Sequence, residues 1–206
     1  IENRFKKIKV YKKIVTKKDI MEVVQNKGNL KLITLDNNRY KIIEQNLLNP
    51  KIVGIGEIGL DYYWTKENIE KQKEVLQIQL ELANKYNKPV VIHSREAIQD
   101  TYDILKNYNL KGSIHCFSSS LEMALEFIKL GYKIGVGGTL TFKNSKKLQE
   151  IVEKIDIKNI LIETDSPYLS PEPFRGKKNN PSNVYYVAKK ISELKNIDIK
   201  DVINIT

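Results

Sequence analysis

Four residues able to ligate a metal each stand where an apolar run gives out. Glu57 follows Ile52-Val53-Gly54-Ile55-Gly56, His93 follows Pro89-Val90-Val91-Ile92, His115 follows Gly112-Ser113-Ile114, and Asp165 comes after Ile160-Leu161-Ile162-Glu163-Thr164. Short apolar runs bounded by Pro, Gly or Asn read as buried strands. A charged group at the end of such a strand needs something to pair with it. The glycines around Glu57 allow backbone and ligand to approach closely. The chain contains only two histidines, and both occupy this kind of position. Two imidazoles and two carboxylates suit Zn²⁺, Mn²⁺ or Mg²⁺ better than a soft or redox metal. Such a donor set can lower the pKa of bound water, polarise a phosphoryl oxygen, or hold two ions across a displacement. Taken singly, each residue also fits a bland role: a satisfied core histidine, an aspartate turning the chain before Ser166-Pro167, or a glutamate paired with a lysine. Their common placement favours the metal.

The elements that must position these residues alternate. Asn38–Leu48 has the spacing of an amphipathic helix, and Asn49-Pro50 ends it. Pro50–Ile55 reads as a strand running out at Glu57. A long helix is expected from a cap at Thr65 or Asn68 to about Asn87, with Ile69, Leu76, Leu80 and Ala83 on one face. The His93 strand, a helix from Ala97 to about Tyr108, and the His115 strand follow. Ser118-Ser119-Ser120 is a capping run for a helix over Leu121–Leu130, with Gly131 as its C-cap. Strands are expected at Tyr132–Val136 and Ile160–Thr164, and helices at Ser145–Lys154, from Asn180-Pro181, and from Ile199 onward. Leu30–Leu35 has the pattern of a further short strand. This alternation predicts a parallel sheet with helices outside it. Ligands gathered from the ends of several strands tip the expectation from a doubly wound sheet to a (β/α)8 barrel.

Composition sets the outer bounds. The 206 residues suit one domain or most of a larger one. One cysteine, Cys116, precludes an intrachain disulfide framework and points to a reducing, cytoplasmic setting. No run approaches the length of a membrane helix, so no membrane association is expected. The net charge is +10, but Arg4 and seven lysines against Glu2 alone place +7 of it in the first 18 residues. The remaining chain is too nearly balanced to be an electrostatic footprint for nucleic acid. Residues 1–37 read as an atypical basic segment, and 38–206 as the working domain.

Five ordered stretches resemble a known family. Gly56-Glu57-Ile58-Gly59-Leu60-Asp61, Ile92-His93-Ser94-Arg95, His115-Cys116-Phe117-Ser118, Glu163-Thr164-Asp165-Ser166-Pro167, and Phe174-Arg175-Gly176-Lys177 leading to Asn180-Pro181 are similar to the successive signatures of the TatD family. These are metal-dependent deoxyribonucleases among the (β/α)8 barrels of the amidohydrolase superfamily. The resemblance implies hydrolysis of DNA phosphodiester bonds with one or two divalent ions, Mg, Mn or Zn. It implies that Glu57 bridges two metals, that His93 and His115 hold one, and that Asp165 holds the other and orients the attacking water or takes its proton. Arg95 and Arg175 are the residues it offers to substrate phosphate. DNA is the partner expected, with no obligate protein partner.

One departure bears on all of this. The family opens with a strand ending in a His-x-His pair, and this chain has no such pair. Five strands also fall short of eight, so an incomplete barrel is expected, in a fragment or a naturally shortened member with impaired activity. Two other readings of the same residues are a metal-dependent amidohydrolase of a small ester or amide, and an inactive nucleic-acid-binding relative.

Overall fold

The computed structural model describes residues 37–206. The basic segment and the strand expected at Leu30–Leu35 therefore lie outside the described residues. Two compact units divide the chain, one ending at Lys111 and the other running from Gly112 to Thr206.

In the first unit the described elements are α1 (Asn37–Leu47), β1 (Ile55–Asp61), α2 (Ile69–Lys85), β2 (Val90–Arg95) and α3 (Ile98–Leu105). β1 and β2 pair in parallel, from Ile55 opposite Val90 to Asp61 opposite Arg95. The register slips between Gly56 and Ile58, which makes Glu57 the extra residue of a bulge. Ile55, Ile58, Leu60, Val90 and Ile92 are buried. Against this ladder α2 turns Leu76, Leu80 and Ala83 inward, the face its helical spacing predicts. Gln72 of α2 fastens the end of β1: its Oε1 accepts the Asp61 N–H at 2.8 Å and its Nε2 donates to the Asp61 carbonyl at 3.0 Å.

The second unit holds β3 (Gly112–Ile114), α4 (Leu121–Lys129), β4 (Tyr132–Val136), α5 (Lys146–Lys154), β5 (Ile160–Ile162), α6 (Val184–Lys195) and α7 (Ile199–Ile205), with short 3₁₀ turns between. β4 lies between β3 and β5, parallel to both, with Ile114 opposite Ile134 and Val136 opposite Ile162. Ser120 caps α4 by accepting the Met123 N–H at 3.3 Å. Phe127 stands edge-on to both Phe117 and Tyr132 at 6.4 Å between centroids. α6 buries Val184, Val187, Ala188 and Ile191, spaced as the sequence predicts.

Several boundaries differ from expectation. The strand expected over Pro50–Ile55 begins at Ile55 instead, because Asn49 closes a turn with its Oδ1 on the Lys51 N–H at 2.9 Å. Glu57 consequently lies within β1 rather than at its end. α2 stops at Lys85, short of Asn87, whose φ of 49° is left-handed. The helix expected from Asn180-Pro181 opens as one 3₁₀ turn, Pro181–Asn183, before α6. Among the described residues no helix is long and apolar enough to cross a membrane.

Candidate metal centre

The second unit gathers its donors just beyond two strand ends, those of β3 and β5. His115 follows β3 directly and is buried, at 8 % exposure. Its Nδ1 lies 2.8 Å from Glu163 Oε2, and its Nε2 lies 3.8 Å from Asp165 Oδ1. The second oxygen of Glu163, Oε1, accepts the backbone N–H of Cys116. Glu163 is itself tied back to the sheet, its N–H donating to the Val136 carbonyl at 3.1 Å. Cys116 takes a left-handed φ of 45°, which turns the chain sharply after His115. Burial pushes the Cys116 thiol up to about 11, with His115 pulling the other way. For His115 burial opposes the charge, but hydrogen bonds to Asp165, Cys116 and Glu163, with the charge of Glu163, outweigh it and raise the imidazole well above its ordinary value.

These residues fit a divalent ion. The 3.8 Å between His115 Nε2 and Asp165 Oδ1 is within the span of two ligands each about 2.1 Å from one centre. Ligand-capable atoms of His115, Cys116 and Glu163 also lie within 4.8 Å of one another.

In the first unit, His93 Nε2 lies 3.0 Å from Asp61 Oδ2. Asp61 Oδ1 accepts the Tyr63 N–H at 3.0 Å. Burial raises the Asp61 carboxyl, but the hydrogen bond and charge of His93, the Tyr63 N–H and Arg95 hold it below the usual carboxylate range. Glu57 occupies the bulge of β1, beside the strand that carries His93. Bulges of this kind re-aim a side chain next to functional sites. Gly59 makes the pairing possible, since a Cβ there would sit inside the His93 carbonyl.

The two arginines stand at the surface on aromatic rings. The Arg95 guanidinium lies 3.6 Å from the Tyr63 ring centroid and 5.8 Å from that of Trp64. Tyr63 and Trp64 are 51 % and 56 % exposed and meet edge to face at 5.0 Å. Arg175 lies over Phe142 at 4.3 Å and within 4.0 Å of Glu172 Oε1.

Of the residues expected from sequence, His115 and Asp165 are thus brought face to face within one unit, while Glu57 and His93 ride on paired strands of the other. Asp61, Cys116 and Glu163 make contacts that strand patterning did not assign. A signal for Glu163 was present: residues i and i+2 of an extended segment share a face, so Glu163 and Asp165 project together.

Comparison with known proteins defines the class first. The crystal structure of YjjV, a TatD homologue from Escherichia coli, is 33 % identical and matches with a TM-score of 0.77, over 82 % of this chain and 66 % of that one. A TatD-family hydrolase from Entamoeba histolytica matches at 27 % identity and a TM-score of 0.72, over 85 % and 66 % of the two chains. The fold is therefore α/β of the (β/α)8-barrel class, incomplete among the described residues. The family model described as TatD related DNase matches residues 25–206. A relative in Bacillus subtilis, named as the uncharacterized metal-dependent hydrolase YabD, is 45 % identical over 80 % of this chain and 66 % of its own length. One in Escherichia coli, the uncharacterized metal-dependent hydrolase YcfH, is 37 % identical over 75 % of this chain and 60 % of its own. The chain belongs to the TatD family, and it spans about 60–66 % of the length of these curated relatives.

Proposed function

We propose that the protein is a divalent-metal-dependent hydrolase cleaving phosphodiester bonds of DNA. The observation that carries this reading is the approach of His115 Nε2 to Asp165 Oδ1 at 3.8 Å in a chain of the TatD family. Glu57, His93, His115 and Asp165 would hold one or two ions of Mg, Mn or Zn. The bound ion would supply an acidified water and a Lewis acid for a phosphoryl oxygen. Asp165 would orient that water and take its proton, and Glu57 would be the other catalytic carboxylate. Arg95 and Arg175 meet substrate phosphate through their guanidinium edges, which stacking on a ring leaves exposed. The site works in the cytoplasm and needs no protein partner.

Nucleic acid as the substrate class draws support from Tyr63 and Trp64. Exposed aromatic rings beside a guanidinium suit the stacking of unpaired bases, which has little sequence preference. Trp64 is the only tryptophan in the chain, so its fluorescence reports on this stretch alone. Titration of the metal-free protein with oligothymidylate should quench Trp64, and an abasic strand of equal length should quench it far less. Equal quenching by both strands would leave only phosphate contacts. Metal-dependent turnover of small esters without DNA cleavage would move the protein to the amidohydrolase reading.

A further inference from the structure

The contacts of Glu163 reach beyond ligand geometry. An ionised carboxylate only accepts hydrogen bonds, and both oxygens of Glu163 are committed, Oε1 to the Cys116 N–H and Oε2 to His115 Nδ1 at 2.8 Å. If Nδ1 carried a lone pair, it would face carboxylate lone pairs at that distance. The neutral imidazole must therefore bear its proton on Nδ1 and present the Nε2 lone pair toward Asp165. The surroundings reserve space for this carboxylate. A Cβ at residue 135 would lie 2.6 Å from Glu163 Oε1 and 2.7 Å from the Ile114 carbonyl, so only glycine fits there. The end of β3, the middle of β4 and the segment after β5 thus converge on one side chain.

We infer that Glu163 is the positioning residue of the metal centre: it selects the His115 tautomer and fixes the ring so that Nε2 faces the ion shared with Asp165. The inference rests on the metal-hydrolase reading for its consequence, but the tautomer itself belongs to the metal-free protein. It also assigns the His115, Cys116 and Glu163 trio a supporting role rather than that of a separate metal site. Carboxylates that hold the distal nitrogen of a metal-bound histidine raise its basicity, and their loss costs about 10–100-fold in metal affinity.

Glutamine tests the inference because it can accept at only one of the two places. With its oxygen on the Cys116 N–H, its amide NH₂ faces Nδ1 and drives the proton to Nε2, the nitrogen the metal needs. The experiment is ¹⁵N-histidine NMR of the metal-free protein, carried far enough into alkali to take one proton from a His115 ring that its carboxylate neighbours keep charged, in a spectrum where only two histidines resonate. It is paired with Zn²⁺ and Mn²⁺ titration of wild type, Glu163→Gln and Cys116→Ser. The neutral form of His115 is expected to be protonated on Nδ1 in wild type and on Nε2 in Glu163→Gln. Metal should bind Glu163→Gln about 10–100-fold more weakly and Cys116→Ser as wild type. A wild-type proton on Nε2 overturns the inference even if no variant folds. So does wild-type affinity in Glu163→Gln, or loss of metal from Cys116→Ser, which would make the thiol a ligand. Wild type that binds no metal while keeping Nδ1–H would instead remove the proposed function and leave the tautomer assignment standing.

Discussion

Asp100 shows how the surroundings of β1 and β2 are held at the level of single groups. Its Oδ2 accepts the Tyr62 hydroxyl at 2.7 Å and pairs with the Lys73 ammonium at 2.9 Å, joining the end of β1, α2 and α3. Lys73 first, and Tyr62 after it, hold the Asp100 carboxyl below its ordinary value against a smaller effect of burial. A depressed carboxylate contributes stability that is complete above the unfolded value, about 3.9, and that fades as pH falls through the native one. Asp100→Asn should therefore lower Tm by about 1–3 °C at neutral pH, and the gap should close in acid. Thermal melts from pH 7 to pH 3 check this, and a gap that widens in acid would contradict it. Residue chemistry was the most legible level of this chain. His115 and Asp165 were recognisable because their types and their placement after apolar runs are both unusual. The partners Asp61 and Glu163 were harder to assign, because a carboxylate a few residues from a candidate ligand looks like any polar residue of an extended segment until the fold brings an imidazole to it.

At the level of elements, β1 is where expectation and structure part. The glycines of Gly54-Ile55-Gly56-Glu57-Ile58-Gly59 read as a strand end, since glycine usually punctuates. Here they serve close approach within a strand. A Cβ at Gly56 would come 2.6 Å from the Val91 Cβ, and Gly59, at a φ of 154°, lies against the His93 carbonyl. Sequence alone does not distinguish the two uses, because the difference lies in the partner strand. The helices were more legible: the apolar spacing of α2, α4 and α6 survives as buried faces, with ends displaced by up to three residues where a left-handed residue or a 3₁₀ turn intervenes. Gly59→Ala tests the close approach. It should cost at least about 2 kcal/mol through strain and displacement of β2, read as a lower urea midpoint with unchanged m. A midpoint within error of wild type would mean that the two strands separate freely at this register.

For the molecule as a whole, ligand linkage gives a measure of the metal centre independent of turnover. An ion held only by the folded chain stabilises it by about 2.7 kcal/mol at a hundred times its Kd. For a chain of this length that raises Tm by about 5–10 °C, reversed by chelator. His115→Ala should abolish the metal-dependent part of the shift, and a variant that still responds fully would place the ion elsewhere. The alternation of strands and helices pointed to a parallel sheet with outer helices, and the ligands at several strand ends tipped it to the barrel class, as the likeness to YjjV bears out. The His-x-His pair expected of the family is absent from the chain, which contains no histidine besides His93 and His115. The most direct test is Mn²⁺-dependent cleavage of a single-stranded DNA oligonucleotide by wild type, Glu57→Gln and Asp165→Asn. The account predicts cleavage that chelator abolishes and that falls at least about 100-fold in both variants while they remain folded. Undiminished cleavage in chelator or in the variants, or no cleavage by wild type with metal bound, would contradict it.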